Sequence, residues 1–318
     1  ITAAYRRPET EAVPMLLEQA RMPRELSEAS QKLALNLAEK LRNQKSAGGR
    51  QGLVQGLLQE FSLSSQEGVA PINGLRRWQR RFVLGQSKGA IAICESGRRY
   101  LAALGLPGER TTLAPLVGDA RLFFPAADDE RQGLRDDLGF RGRSFLFVGR
   151  FDDVKRIDRL IAAFRELPVG TEAQLWLIGK GPKEADLSAL AQGCPAIRFV
   201  PLLPPVALRR YYAAADFLVL PSVGELWGLV VNEAMMCGTP AIVSLRAGSC
   251  EMVEQEKNGL RFDPADPSAL AEALRKAVAL PNAALADWRK AALLTARRYT
   301  LAETIGGIKA AVAQALEN

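Results

Sequence analysis

The sequence predicts an α/β protein: a main domain with a parallel sheet and helices on both faces, preceded by a partial α/β domain and an all-helical segment. Three observations predict this fold class. From residue 144 onwards, short apolar runs of strand length alternate with helical periodicity, the pattern of parallel strands joined by helices. The composition, 48% hydrophobic and 24% charged, is that of a globular protein. No run approaches the roughly 18–20 apolar residues of a membrane span.

Residues 1–70 are predicted to be helical throughout. Leu26, Leu33 and Leu37 recur close to helical spacing, which places them on one face of a helix. The glycine pair within SAGGR (46–50) then ends that helix. This helical part, here called the arm, contains no catalytic constellation.

A shorter α/β pattern follows the arm. AIAICES (90–96) is rich in strand-forming residues, GRRYLAALG (97–105) has helical character, and TTLAPLV (111–117) indicates another strand. The next stretch, AADDERQGLRDDLG (126–139), is strongly acidic and is predicted to be a linker into the main domain.

The main domain carries six strand candidates, with helical patterns between most of them. One such pattern, residues 156–167, places Ile157, Leu160, Ile161 and Phe164 along one face. Ligands of a parallel sheet bind at the carboxyl ends of its strands, so the loops after these strands are the places to search for a site. The strand candidates are 144–149, 173–179, 197–200, 216–220, 240–244 and 259–263.

The composition excludes several kinds of chemistry. The chain has no histidine, which rules out a histidine general base, a Ser-His-Asp triad and a histidine metal site within these residues. The four cysteines, Cys94, Cys194, Cys237 and Cys250, are far apart and show no metal or redox spacing. They are expected to be reduced thiols.

Most of the formal charge of +7 lies in the first 89 residues, which hold 14 Lys and Arg against 8 Asp and Glu. The densest part is Arg76–Arg81, with arginines at 76, 77, 80 and 81 around Trp78. Such a cluster suits an anionic membrane surface or nucleic acid. A solvated helix face is the favoured alternative, and the arm has no recognisable DNA-binding motif, so a nucleic-acid partner is not expected.

Two positively charged residues lie in the loop directly after the strand candidate 144–149. Arg150 and Lys155 share one strand-end loop, and such a pair suits a diphosphate, because Arg binds oxygens in bidentate fashion while Lys acts as a point charge. The alternative is that both cations pair with the neighbouring Asp152 and Asp153.

Gly179 and Gly181 stand between a strand and a helix in IGKGPKEADL. The stretch lacks the third glycine of the dinucleotide fingerprint, and no acidic partner follows on a second strand. A tight turn that lets a ligand lie near the backbone is therefore predicted instead of NAD binding.

The stretch GELWGLVVNEAM (224–235) places Glu225 and Glu233 eight positions apart across an apolar run. It predicts a loop followed by a helix from about Trp227 to Cys237, whose first free N–H groups, at Gly228 and Leu229, can hold an anion. Alternatively Glu225 is only a helix-dipole partner and Glu233 a solvated surface charge. The neighbours VVNEAMM instead indicate a buried Glu233, which should then have a partner.

Several ordered motifs together resemble one family. Residues 144–267 are similar to the donor-binding, Rossmann-like domain of retaining GT-B glycosyltransferases, in particular glycosyltransferase family 4. That family carries two glutamates separated by seven residues, matched here by Glu225 and Glu233. VGRFDDVKRIDRLIAAF (148–164) also resembles its strand–Arg–Lys–helix segment, and CGTPAIVSLRAGSCEMV (237–253) its following strand and loop.

The resemblance implies a role for each of these residues. Arg150 and Lys155 would bind the diphosphate and stabilise it as the glycosidic bond breaks, Glu225 would contact hydroxyls of the transferred sugar, and Glu233 would take the ribose hydroxyls. Backbone amides at Gly228, Leu229 and Val230 would contact the phosphates. No metal and no cofactor are implied. The donor would be a UDP-, GDP- or ADP-sugar and the acceptor a glycan or a lipid, in the cytoplasm or at the inner face of the membrane.

The chain also resembles a second, unrelated family. Residues 76–125 are similar to the end of the glycosyltransferase N-terminal domain, whereas its earlier part is not visible. In its place, residues 1–70 resemble the helical N-terminal arm of the bifunctional proline utilisation flavoprotein. The sequence thus predicts a chimera joined near Ala70–Pro71. The predicted domains are 1–70, 71–125, 126–298 and a C-terminal helix at 299–318.

Three functions remain open at this point. The chain is a hexosyl-transferring enzyme of polysaccharide or glycoconjugate biosynthesis, a remnant that binds nucleotide sugar without transferring it, or a carrier of an interaction or DNA-associated arm. An incomplete N-terminal domain provides no visible binding site for the acceptor. Binding of the donor and transfer of its sugar are therefore treated as two separate hypotheses.

Overall fold

The computed structural model describes residues 81, 84–85 and 87–317 of the chain. The predicted helices of residues 1–70 and the arginines at 76, 77 and 80 lie outside the described residues. The four domain boundaries stay predictions.

Six parallel strands form the main sheet: β3 (Arg143–Val148), β4 (Ala173–Ile178), β5 (Ile197–Val200), β6 (Phe217–Leu220), β7 (Ala241–Ser244) and β8 (Gly259–Phe262). Their order is β5-β4-β3-β6-β7-β8. The predicted α/β fold with a parallel sheet is confirmed, and each predicted strand end lies within one residue of the observed one.

Helices cover both faces of this sheet. They are α2 (Asp128–Leu138), α3 (Ile157–Arg165), α4 (Glu184–Ala191), α5 (Pro205–Ala214), α6 (Leu229–Met236), α7 (Ala269–Ala279) and α8 (Asn282–Ala296). Successive strand side chains alternate between two buried clusters: Phe145 packs with α3 and α7, and Leu146 with α5 and α6. Strands buried on both faces are apolar along their whole length, which explains why the apolar runs located them so closely.

The predicted acidic linker at 126–139 is wrong, because most of it is helix α2. Asp128, Asp129 and Glu130 lie in the first turn, where negative charge is favoured by the helix dipole. Leu134 is buried against the main domain, and Gly139 in the left-handed conformation ends the helix. The acidic composition therefore marks a helix start rather than an unstructured connection.

A second, small sheet precedes α2. Strands β1 (Ala90–Ala92) and β2 (Thr111–Leu113) are parallel and are joined by helix α1 (Glu95–Ala103). Strand β2 is shorter than the predicted 111–117, since Pro115 has no N–H to donate to a sheet. The C-terminal helix α9 (Leu301–Glu317) returns to pack on these two strands.

No helix in the described part of the chain combines the length and the apolarity needed to cross a membrane.

Candidate functional site

The candidate site lies where the chain reverses its direction along the main sheet. From the central strand β3 the chain builds outwards to β5, then returns to place β6 beside β3 and builds outwards to β8. The loops after β3 and β6 therefore leave the same sheet edge as neighbours, and the backbone N–H of Val223 donates to the carbonyl oxygen of Val154 at 2.9 Å. A crevice at such a switch point is the usual ligand site of an open parallel sheet.

The loop after β3 carries both predicted cations. Asp152 accepts a hydrogen bond from the backbone N–H of Lys155 at 3.2 Å and begins a short 3₁₀ turn, Asp153–Lys155. Arg150 points to solvent: its side chain is 71% exposed, and its Nε lies 3.9 Å from the Asp152 carboxylate. Asp153 pairs with Lys183 at 3.2 Å. The alternative was that both cations form ion pairs with the neighbouring aspartates. It is wrong for the Lys155 side chain, and Arg150 forms only the long contact with Asp152.

Lys155 forms its ion pair with Glu225, seventy positions away in the sequence. Both side chains are about four-fifths buried, with 20% and 19% exposed. A partly buried pair between two loops brings a cation and a carboxylate together at the mouth of the crevice. The structure therefore places three of the predicted residues, Arg150, Lys155 and Glu225, at one sheet edge.

Backbone hydrogen bonds hold Glu225 in position. Its N–H donates to the carbonyl of Arg246 at 3.2 Å, and its carbonyl accepts from Gly248 at 2.9 Å. Two residues later, the carbonyl of Trp227 accepts from Ser249 at 2.7 Å. The loop after β6 is thereby fastened to the loop after β7, so Glu225 faces Lys155 from a supported backbone.

Helix α6 begins later than predicted. Gly228 has φ 94° and precedes the helix, which runs Leu229–Met236 instead of Trp227–Cys237. A residue in the left-handed region cannot continue a helix, so Trp227 belongs to the loop, where it is buried against Tyr299. The predicted amides at Gly228, Leu229 and Val230 form the start of this helix, which has no side-chain cap.

Two buried hydroxyls that the sequence did not single out lie in the loops after β6 and β7. The hydroxyls of Ser222 and Ser249 are buried and have no hydrogen-bond partner among the described residues. A Cβ atom at Gly228 would lie 2.8 Å from Oγ of Ser249 and 2.6 Å from Leu220. One signal in the sequence could have pointed to Ser249: it follows a predicted buried strand, and so belongs to a loop at the same edge of the sheet.

Glu233 is fully buried on the same helix. The hydroxyl of Tyr212 on α5 donates to its carboxylate at 2.9 Å, so the expected burial with a partner is confirmed and the surface-charge alternative is wrong. The crossing segment (residues 114–119, after β2) covers this place: the N–H of Gly118 donates to Asn232 at 2.6 Å. No spacing pattern in the sequence pointed to Tyr212 or to Gly118.

Gly179 and Gly181 form the predicted tight turn between a strand and a helix. A Cβ atom at either position would overlap backbone of the loop after β3, the carbonyl oxygens of Gly149 and Phe151. The N–H of Phe151 also donates to the carbonyl of Lys180 at 3.0 Å. The two glycines therefore let two loops pack backbone to backbone, and the approach of a ligand to this turn stays a prediction.

Residues 81–317, as far as the structure describes them, contain no group of three or more Cys, Asp or Glu side chains placed to hold a metal ion. Positive charge at the candidate site comes from Arg150, Lys155 and the start of α6.

Comparison with known protein families gives two separate matches. The family described as glycosyl transferases group 1 matches residues 133–294, and the proline utilization A proline dehydrogenase N-terminal domain matches residues 1–42. The bifunctional protein PutA of Escherichia coli is 77% identical over 70 residues, which are 22% of this chain and 5% of PutA. The predicted chimeric character is thus confirmed.

Individual relatives agree with the first match. The D-inositol 3-phosphate glycosyltransferase of Xylanimonas cellulosilytica is 34% identical over 244 residues, 73% of this chain and 56% of that protein. Sucrose-phosphate synthase from Thermosynechococcus elongatus superposes with a TM-score of 0.64 at 29% identity, covering 76% of this chain and 63% of that one. Anabaena HepE in complex with UDP-glucose gives 0.63 at 18% identity, covering 74% and 68%. The chain spans about half the length of the curated glycosyltransferases it matches.

Proposed function

Because the chain belongs to the glycosyl transferases group 1 family through residues 133–294, we propose that it binds a nucleotide-diphospho-sugar in the crevice between β3 and β6. The transferred sugar would pass, with retention, to a glycan or lipid acceptor. One observation carries this function above the others: Lys155 and Glu225 meet at the switch point, beside an uncapped helix start. HepE, which shares the fold, has been solved with UDP-glucose, which supports a donor of this class.

The diphosphate is assigned to the positive side of the crevice. Lys155 supplies a point charge and Arg150 a bidentate donor, and the N–H groups of Gly228, Leu229 and Val230 add the positive end of α6. Negative charge grows on the diphosphate as the glycosidic bond breaks. These donors then stabilise the transition state more than the bound substrate, which is what accelerates the reaction. This assignment uses no metal ion.

The two glutamates are assigned to hydroxyl groups of the donor. Glu225 reaches the sugar from the loop after β6, and donor binding then requires Lys155 to be shared between this carboxylate and the diphosphate. Glu233 is assigned to the ribose. Since Glu233 is buried beneath the crossing segment, this contact requires the segment around Gly118 to move aside.

Calorimetry with UDP-, GDP- and ADP-glucose tests the donor site. We expect saturable heat with one of the three nucleotide sugars, and the nucleoside diphosphate of that sugar then takes the place of UDP in the binding tests that follow. Absence of heat with all of them would rule out both transfer and mere donor binding.

A second function is donor binding without transfer, since the residues assigned to the donor, Arg150, Lys155 and Glu225, all lie at one edge of the main sheet and none is assigned to an acceptor. Product assays with lipid and sugar acceptors separate the two. Transfer requires an acceptor held in line with the donor, so a protein that binds a nucleotide sugar but forms no product with any acceptor is a binding remnant. The cytoplasmic location and membrane contact through Arg76–Arg81 stay predictions.

Replacing Gly228 by alanine tests the helix-start site. The added Cβ atom would enter the space between Leu220 and Ser249 in a backbone conformation that disfavours side chains. We expect UDP affinity to fall at least about tenfold, measured by calorimetry. Gly170→Ala is the matched control, because Gly170 also has a positive φ (85°) but faces open space. Equal UDP affinity in the two variants would contradict the assignment.

Replacing Glu233 by glutamine tests the ribose contact. Losing a charged hydrogen-bond acceptor should weaken UDP binding by about 1–3 kcal/mol. The same substitution should leave the affinity for 2′,3′-dideoxy-UDP nearly unchanged, since that nucleotide has no hydroxyl to lose. An equal loss with both nucleotides would mean that Glu233 supports the fold through Tyr212 and does not contact ribose.

A further inference from the structure

Ser249 carries a fully buried hydroxyl whose Oγ atom has no hydrogen-bond partner among the described residues. Two other fully buried serines differ from it. The hydroxyl of Ser144 donates to Asp216 at 3.1 Å, and that of Ser244 accepts from the N–H of Arg246 at 3.1 Å. A buried polar group without a partner is unfavourable and therefore uncommon in folded proteins, and a functional role is one reason to retain it.

The Ser249 hydroxyl lies directly against the start of helix α6. A Cβ atom at Gly228 would be only 2.8 Å from Oγ of Ser249, so the hydroxyl can approach the backbone here because Gly228 has no side chain. Gly228 precedes the helix, whose start has no side-chain cap and therefore offers its first N–H groups to an anion. The hydroxyl and these N–H groups are neighbours, and all of them are hydrogen-bond donors.

Backbone hydrogen bonds hold Ser249 in this position. Its N–H donates to the carbonyl of Trp227 at 2.7 Å, and the N–H of Gly248 donates to the carbonyl of Glu225 at 2.9 Å. The Glu225 side chain borders the same place, since its Cγ atom would lie 3.4 Å from a Cβ atom at Gly228. Ser249 and Glu225 thus both adjoin the start of α6.

The position of Ser249 along the donor follows from the roles assigned to the two glutamates. Glu225 is assigned to the transferred sugar, and Glu233, on the second turn of α6, is assigned to the ribose. The two phosphates of the donor lie between these groups, and the β-phosphate is the one bonded to the sugar. Because Ser249 lies on the side of Glu225, its hydroxyl faces the β-phosphate rather than the α-phosphate.

We propose that the Ser249 hydroxyl donates a hydrogen bond to a β-phosphate oxygen of the nucleotide-sugar donor. Its Oγ atom is buried in the free protein, so the Glu225 side chain, held here by Lys155, turns aside towards the sugar when the donor binds. The inference rests on the proposed donor function, and it adds a residue that distinguishes a nucleoside diphosphate from a monophosphate.

Replacing Ser249 by alanine is expected to weaken UDP binding about tenfold or more, because a hydrogen bond to a charged oxygen is lost. The affinity for UMP should stay unchanged, since UMP has no β-phosphate. The affinity for UDP-glucose should fall by about the same factor as that for UDP. Calorimetry of the full chain measures all three. If the parent chain binds another nucleoside diphosphate, that nucleotide, its monophosphate and its sugar replace them.

Thermal unfolding without nucleotide gives a second readout, of opposite sign. Ser249→Ala removes a buried polar group that has no partner, so its unfolding midpoint should rise by about 2 °C. Ser144→Ala is the matched control, because the hydroxyl of this equally buried serine bonds to Asp216 at the opposite edge of the sheet. Its midpoint should fall, and its UDP affinity should stay unchanged. A merely structural serine does not combine weaker binding with undiminished stability.

Three binding results would overturn the inference and leave the proposed donor site intact. They are equal UDP affinity in the parent chain and Ser249→Ala, an equal loss with UMP, and a loss confined to UDP-glucose. The second would move the contact to the α-phosphate or the nucleoside, and the third to the sugar. A lowered unfolding midpoint in Ser249→Ala would also overturn it, since the hydroxyl would then be bonded in the free protein. A parent chain that binds no nucleotide would remove the proposed donor function together with this inference.

Discussion

Replacing Asp216 by alanine is expected to lower the free energy of unfolding by about 3–5 kcal/mol. Asp216 is 4% exposed at the start of β6. Its carboxylate pairs with Arg131 at 2.6 Å and with Arg135 at 3.4 Å, and it accepts hydrogen bonds from the N–H and hydroxyl of Ser144 at 2.8 and 3.1 Å. Removing it leaves two cations at the end of the sheet without their counter-charge.

The arginines around Asp216 show why one carboxylate matters this much. Burial lowers the pKa of Arg135 and of Arg143, and the charge of Asp216 opposes that shift in both. Burial also lowers the pKa of Arg289 to about 9, again opposed by Asp216. Asp216 therefore stabilises the charged form of several buried guanidinium groups, whose burial is unfavourable without a counter-charge. Loss of Asp216 removes this stabilisation from each of them.

Urea unfolding followed by circular dichroism measures the effect. Asp216→Asn keeps the size of the side chain and should show most of the loss, which identifies charge rather than packing as the cause. Asp287→Ala is the matched control: its ion pair with Lys290 is exposed, and exposed pairs contribute about 0–1 kcal/mol. A loss below about 1 kcal/mol for Asp216→Ala would contradict the central role of this carboxylate.

Replacing Lys155 by alanine is expected to weaken UDP binding by about 10- to 100-fold. The substitution removes a cation assigned to the diphosphate and also leaves Glu225, its partner in the ion pair, as an unpaired carboxylate beside two phosphates. Both changes act in the same direction. Calorimetry measures the affinity, with Lys276→Ala as the control, since Lys276 pairs on the surface with Glu256.

A double-mutant cycle separates the two contributions. Glu225→Gln in the Lys155→Ala background should restore part of the UDP affinity, because the repelling carboxylate is gone. Glu225→Gln alone should weaken binding of UDP-glucose relative to UDP, since only the former carries the sugar assigned to Glu225. Unchanged UDP affinity in Lys155→Ala would place the diphosphate elsewhere.

The six main strands could be located from the sequence to within one residue, because the residues that identify each strand are its own and those directly beside it. A strand buried on both faces, such as Phe217–Leu220, is apolar at every position, and polar turn residues limit it at each end. Helix α2 could not be recognised in this way, since it buries only Leu134. Its remaining surface is polar, so hydrophobic periodicity carried little signal.

The sequence by itself determined the strands, the loops that follow them, and the residue types available at the carboxyl edge: Arg150, Lys155, Glu225, Glu233 and the glycine before α6. Only the tertiary structure decided how they are paired. Lys155 meets Glu225 because β6 returns to lie beside β3, and Glu233 meets Tyr212 because α5 packs on α6. Such contacts depend on strand order and helix packing between distant segments, which no local pattern of residues encodes.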